Sequence, residues 1–255
     1  MEIPYYIPGS LLTTNNVKTI KSVKYGVTTY ILYMSPFNQN SQKKNICPMA
    51  TVGCSSACLF GSGKGSLSTV IKGRTNKTEF FLKDRELFLK MIYSEVAKIA
   101  VKHEIEGGDF AIRLNGTSDI SWEKFKIKDG KNIFELFKSV TFYDYTKNYL
   151  RFKNILPSNY RLIFSRSETN ENIAMELIKK GINLAVVFDE IPKMYKGHTV
   201  IDGDLHDMRF GEKKGIIIGL KYKKVTTKGF DNDAAFKSGF AIKVAEQKIV
   251  IKKAA

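Results

Sequence analysis

An α/β fold is what this sequence predicts: a single domain over residues 1–255, built on a mostly parallel sheet, with a cysteine-rich loop after the first strand. Three observations lead there. Beyond Gly108 one unit recurs, a short apolar run followed by a polar burst and a connection that is sometimes helical, and strands alternating with helical connections make βαβ units. No low-complexity linker divides the chain, whose length with 43% hydrophobic and 26% charged residues suits one large core. All three cysteines fall within the twelve residues Cys47–Cys58, after the first apolar run.

Taken in order, residues 1–24 are polar and read as an irregular lead-in. Tyr25 to Tyr33 is β-branched and aromatic, the first strand. Ser35–Pro36 ends it, and a polar stretch leads to the cysteine loop, residues 45–66. A basic, threonine-rich stretch then runs to Thr78. Asp84 can cap a long helix to about His103, since Leu87, Phe88, Met91, Ile92, Val96, Ile99 and Ala100 recur at helical spacing, and Gly107–Gly108 stops it. Further strands are expected at Phe110–Leu114, Val140–Tyr143, Leu162–Phe164, Leu184–Phe188, Thr199–Ile201 and Gly215–Leu220, with helical pieces near Ile133–Lys138 and Asn172–Lys180. The core thus spans 25–220, and 221–255 is a basic C-terminal segment with no assigned place.

The cysteines stand at spacing C-x6-C-x3-C with small and turn-forming residues between them, so the loop can curl and point three sulfurs at one centre. A zinc finger or ribbon wants four ligands in paired knuckles. Three thiolates without a nearby histidine suit a [4Fe–4S] cluster with one iron left open, or a zinc completed by a distant histidine or water. The plainer alternative is a group of unligated thiols, some buried as small hydrophobes; that the chain has no other cysteine argues against it.

No run approaches the roughly 18 apolar residues of a membrane span, and Met1–Glu2–Ile3–Pro4 lacks a basic-then-apolar leader. These features point to the cytoplasm, where thiols stay reduced and a cysteine cluster binds metal more often than it forms disulfides. The formal net charge of +16 suggests a polyanionic partner, a nucleotide or nucleic acid. Lysine supplies most of that charge and is spread along the chain, a skew that an AT-rich genome also produces.

Each predicted strand is followed by polar residues. Phe110–Leu114, with Arg113 inside it, leads to Asn115–Gly116–Thr117–Ser118–Asp119, and Val140–Tyr143 to Asp144–Tyr145–Thr146–Lys147. Leu162–Phe164 leads to Ser165–Arg166–Ser167–Glu168, Leu184–Phe188 to Asp189–Glu190, and Ile201 to Asp202–Gly203–Asp204–Leu205–His206–Asp207. In a parallel α/β sheet the C-terminal strand ends share one face, and ligands bind there. Any one burst is ordinary loop polarity or a helix cap; five in register indicate a shared site under the cysteine loop. His206, between Asp204 and Asp207, is the histidine suited to acid–base work or to a fourth metal position. Gly61-x-Gly63-x-Gly65 with Lys64 could cradle a phosphate, although it lacks the spacing of a P-loop.

A strand, a three-cysteine loop, a helix and then β/α units is an order that resembles radical S-adenosylmethionine enzymes. That resemblance implies a partial (βα)6-type barrel, a [4Fe–4S] cluster on Cys47, Cys54 and Cys58, and S-adenosylmethionine at its open iron. The chain departs from that pattern in its cysteine spacing, in Ala57 before Cys58, and in having Asn115–Asp119 where a Gly-Gly-Glu signature belongs. More closely, the chain resembles the gene-product-88 family of phage proteins. Cys47–Pro48 through Cys58–Leu59, Arg74–Thr75, Arg113 to Asp119, Tyr143 to Lys147, Ser165 to Glu168, and Asp202 to Arg209 carry the likeness. It implies a viral or mobile-element origin, with the host cytoplasm as the location if viral, and leaves the chemistry to the residues.

The expectation is an iron–sulfur, radical S-adenosylmethionine-like enzyme acting on a nucleotide or nucleic acid. Its candidate catalytic residues are Asp119, Asp144, Arg166, Glu168, Asp204 and His206. Gly61, Gly63, Asn115, Thr117, Ser165 and Asp202 are the candidate cofactor-binding residues. One alternative is a nucleic-acid-binding protein with a structural zinc or cluster. Another is a Mg²⁺- or Mn²⁺-dependent nuclease or phosphatase using Asp119, Asp144, Asp202 and Asp204.

Overall fold

The structure, a computed structural model, describes residues 5–14, 17–36, 40–225 and 231–245. It begins with β1 (Leu12–Thr13) and α1 (Val17–Val23), which lead into β2 (Val27–Leu32). The lead-in is therefore not irregular where it is described. The backbone N–H groups of Leu11 and Leu12 donate to the Glu95 carboxylate at 2.6 and 2.9 Å, and Leu12 pairs antiparallel with Leu32. Its scattered apolar residues hid a strand only two residues long.

The cysteine loop contains α2 (Val52–Ser56), followed by two tight 3-10 turns at Leu59–Gly61 and Gly63–Ser66. Next come α3 (Ser68–Lys83) and α4 (Arg85–Glu106). The sequence reading missed α3 because it lacks a start signal: its N-cap is Leu67, with no side-chain cap, and its first turns carry threonines and Gly73. By contrast α4 starts where expected, with the Asp84 carboxylate accepting from Leu87 N–H, and stops at Gly107 with φ +78°.

Then follow β3 (Asp109–Arg113), α5 (Ile133–Leu136), β4 (Thr141–Thr146), β5 (Tyr160–Ser165), α6 (Glu171–Lys179) and β6 (Leu184–Phe188). After these come β7 (Met194–Tyr195), β8 (His198–Asp202), β9 (Ile217–Lys221), α7 (Ala234–Lys237) and β10 (Ala241–Ile242). All six strands expected after Gly108 are present.

The sheet runs β1-β2-β3-β4-β5-β6-β9-β8-β7 and is parallel from β2 through β8. It is open. Its edges are β1, which runs antiparallel to β2, and β7, the short antiparallel arm of β8, and among the described residues no pairing joins these edges. The expected barrel is to that extent corrected to an open, mostly parallel sheet in a single α/β domain.

Alternation along the strands separates two faces. Ile112, Phe142, Phe164, Leu184, Val186, Phe188 and Ile217 pack on the helices: Phe80 and Phe81 of α3, Phe88, Ile92 and Val96 of α4, Phe134 of α5, and Leu177 and Ile178 of α6. Burying each such side chain contributes about 1.5–3 kcal/mol. The opposite face carries Arg113, Tyr145, Ile163, Ser165, Ala185, Val187, Ile218 and Leu220, and only a small apolar cluster forms there.

One local irregularity positions the site. β5 pairs with β6 only at Phe164↔Leu184 and Ser165↔Ala185, after which the strands part. On the same edge of β6, β10 takes over, pairing Ala241 with Val187 and Ile242 with Phe188. The C-terminal segment, which the sequence left without a place, is thus wedged between two strands at their C-terminal ends. Residues 226–230 and 246–255 of that segment lie outside the described residues.

Candidate functional site

At the C-terminal ends of the parallel strands lies a cavity of about 210 Å³. Its floor takes one side chain from each of five strands: Arg113 of β3, Tyr145 of β4, Ser165 of β5, Val187 of β6 and Leu220 of β9. Cys47, Cys54 and Cys58 line it from the loop above, and Phe240 closes one side. The three cysteines and the strand ends therefore meet in one place.

Local interactions fix the loop. Thr51 caps α2 by accepting from Cys54 N–H. The Glu168 carboxylate accepts from Thr51 Oγ1 and from Gly53 N–H, both at 2.8 Å, and so ties the loop to the residues after β5. Cys47 N–H donates to Asn45 Oδ1, and the Cys47 thiol to the Thr117 carbonyl at 3.5 Å. Arg166 donates to the carbonyls of Gly239 and Phe240, holding the C-terminal wedge against the same loop.

A Cβ on Gly53 would come 2.3 Å from Ser238 Oγ and 2.5 Å from Phe240 Cβ. Gly53→Ala is expected to loosen the wedge and cost about 1–3 kcal/mol. Thermal unfolding with limited proteolysis of residues 231–245 reads both effects; unchanged melting and cleavage would show that this close approach is unimportant.

Burial pushes the Cys47 thiol far up, with Cys58, Asp119 and Cys54 adding to it. Burial likewise pushes Cys58 up to about 11, opposed by the Phe60 N–H and reinforced by Cys54. These two cysteines are thus protonated at neutral pH unless a cation takes the proton's place. A thiolate at any one of them would raise its neighbours' pKa. Burial disfavours the Lys147 ammonium, but Cys54 and Asp119 near it more than offset this and raise its pKa.

Three thiols on one cavity with an ammonium beside them fit a thiolate-ligated cationic group, which would relieve that mutual repulsion. Among the described residues, no group of three or more His, Cys, Asp or Glu is placed to hold a metal ion. A single tetrahedral zinc requires sulfurs about 3.8 Å apart, from a Zn–S distance of roughly 2.3 Å. A cubane cluster offers separate iron corners to its thiolates and tolerates wider spacing.

The carboxylates foreseen as catalytic do other things. Asp144 is fully buried on the helix-covered face, accepting from Asn115 N–H at 2.7 Å, Asn115 Nδ2 at 3.2 Å and Tyr160 OH at 2.9 Å. Asp119 lines the cavity yet accepts from Thr146 Oγ1 at 2.7 Å and Lys147 N–H at 2.9 Å, with Arg151 at 3.5 Å. Arg151 in turn grips Glu123 with two bonds of 2.9 and 2.7 Å. Together these residues form a buried polar network that links the loops after β3 and β4.

Burial pushes Asp144 up to about 7, against the opposing pull of Arg113 and Arg151. Between about pH 4 and 7 the folded protein then keeps a proton that the unfolded chain has lost, so this group's contribution to stability falls as pH rises through that window. Asp144→Asn is therefore expected to cost less at pH 8 than at pH 5, by on the order of 2 kcal/mol. Urea unfolding at the two pH values measures this, and equal costs would contradict it.

Of the residues expected at the site, Cys47, Cys54, Cys58, Asn115, Thr117, Asp119, Ser165 and Asp204 line the cavity. Asp204 lies at its mouth, bound to Lys223 at 3.0 Å. Arg166 and Glu168 stand behind it as braces. Gly61 and Gly63 lie in the 3-10 turns and do not line it, nor does Asp202, whose carboxylate accepts from Asp204 N–H. His206 packs edge-on to Tyr25, with ring centroids 5.0 Å apart, away from the cysteines. Asp119, Asp144, Asp202 and Asp204 thus do not converge as a metal-dependent nuclease needs.

Lys147, Arg113, Tyr145 and Phe240 were not expected as site residues. Strand parity carries a signal for two of them: Tyr145 and Lys147 share the face opposite Asp144. Phe240 arrives through the β10 wedge, which nothing local in the sequence announces.

A family model described as Gene product 88 matches residues 10–243. No curated protein and no solved structure matches the chain. Among the described residues no helix is long and apolar enough to cross a membrane.

Proposed function

The chain belongs to the gene product 88 family, and we propose that it is an iron–sulfur enzyme of phage, radical S-adenosylmethionine-like in plan, acting on an anionic substrate of the nucleotide class. One observation carries the reading: three cysteines and the C-terminal ends of five parallel strands converge on a single cavity. Sequential order from β2 to β6 brings these strand ends side by side, and helices on one face of the open sheet leave the other to the cavity.

Cys47, Cys54 and Cys58 would hold the cluster. When bound it supplies one-electron chemistry at an iron with an open position. Lys147, near Cys54, would offset the charge of its thiolate. Arg113, whose guanidinium lies 4.6 Å over the Tyr145 ring and 3.3 Å from Asp207, gives the floor a fixed positive charge. Tyr145 OH accepts from Arg209 Nε at 2.9 Å, which fixes the ring's position. Cys47 and the Phe240 side wall shield the floor from water.

The test is anaerobic purification followed by a visible spectrum and iron, sulfide and zinc analysis on one sample. The reading expects absorbance near about 400 nm and about four irons per chain. One zinc, or no metal, would overturn it.

A further inference from the structure

We infer that the cavity under the cysteine loop takes a small phosphorylated molecule with an apolar or planar body, its phosphate on Lys147, and not a strand of nucleic acid. This deepens the functional reading above and rests on it for the cavity's role.

The first argument is charge. Arg113, Lys147, Lys221 and Lys223 line the cavity, against the two carboxylates Asp119 and Asp204. Both carboxylates are already engaged, Asp119 by Thr146, Lys147 N–H and Arg151, and Asp204 by Lys223 and Lys221 N–H. Asp207 holds Arg113. Neither Lys147 nor Lys221 has a carboxylate within ion-pair distance among the described residues. Lys147 is partly buried, its ammonium 5.7 Å over the Phe240 ring. An anion entering the cavity therefore meets two ammonium groups that no carboxylate pairs directly, Lys147 having Cys54 and Asp119 near it, and a charge-assisted bond formed out of bulk water is strong.

Shape and chemistry supply the second argument. Ala57, Leu59, Val187, Leu220, Tyr222 and Phe240 give the remaining wall an apolar and aromatic character. A ligand that satisfies both parts has an anionic head and an apolar or planar body. The loop above and Phe240 at the side limit the space to about 210 Å³. Polymer strands are bound in long, tracking grooves lined with cations, whereas this is one pocket of about 210 Å³.

Calorimetric titration of the anaerobically purified full chain with AMP, adenosine and an oligothymidylate tests the inference, with iron measured on every sample. AMP is expected to bind at least about tenfold more tightly than adenosine. Lys147→Met is expected to weaken AMP about tenfold or more and leave adenosine unchanged. Lys221→Met, at the exposed strand end, is expected to weaken AMP by a smaller factor with iron content intact. Should Lys147→Met fail to fold, Lys147→Arg takes its place and is expected to retain the preference for AMP over adenosine. Equal affinity for AMP and adenosine, no AMP binding, or AMP binding indifferent to both lysines would overturn the inference. So would displacement of AMP by the oligothymidylate with a steep salt dependence. Iron without AMP binding rejects this inference alone, while AMP binding without iron rejects the cluster alone.

Discussion

Cys54→Ala is expected to strip the anaerobically purified protein of its colour and iron while leaving the sheet folded. Cys54 is only half-buried, and its backbone N–H, not its sulfur, makes the cap with Thr51. Glu168 holds the loop through Thr51 and Gly53. The fold therefore loses little, within about 1 kcal/mol, from trimming one sulfur. A cluster held as proposed would lose one of its three ligands, and two thiolates would not retain a cubane against exchange. Iron analysis and the visible spectrum, read beside thermal unfolding of the same sample, separate the two effects. A Cys54→Ala protein that keeps full colour and iron rules this ligand out, whatever happens to activity.

A second large effect, of the opposite kind, is expected at Asn115. Its Oδ1 accepts from Ser118 Oγ at 2.8 Å, Ile120 N–H at 2.9 Å and Trp122 Nε1 at 3.1 Å. Its Nδ2 donates to the Ile120 carbonyl and to Asp144. Trp122 and Asp144 are both in the interior, 1% and 0% exposed. Asn115→Ala leaves those donors and that carboxyl without their partner in a place water does not reach. Each stranded buried group costs about 1–3 kcal/mol, so a loss on the order of 4 kcal/mol is expected, enough to unfold a marginal domain. Urea unfolding measures it; a cost under about 1 kcal/mol would mean the loop has another way to satisfy these groups. Asn115 lines the cavity with its backbone neighbours, yet its side chain is committed to holding the loop.

That contrast explains what could and could not be read in advance. Strands and the long helix were legible because burial on one face imposes a period, as along Phe88, Ile92 and Val96. The convergence of the polar bursts with the cysteine loop was legible because parallel strands bring their C-terminal ends together. What each polar residue does there was not. Asp144 and Tyr145 are adjacent, but pleating sends one carboxyl into the helix-covered face and one phenol to the cavity. Arg166 and Glu168 carry charges typical of a catalytic pair, but Arg166 is spent on Glu171 and the Gly239 and Phe240 carbonyls, and Glu168 on the Thr51 hydroxyl and the Gly53 N–H. β10 escaped notice because two residues have no period, and its place depends on β5 and β6 parting.

The wedge also has a consequence in time. Residues 231–245 follow β9 in the chain, so on a ribosome they emerge after the cysteine loop and after the strands that form the cavity floor. Until they dock, Gly53 lacks Ser238 and Phe240 against it, and one side of the cavity stands open. On the proposed reading, a bulky inorganic group would enter most easily before β10 docks and closes that side.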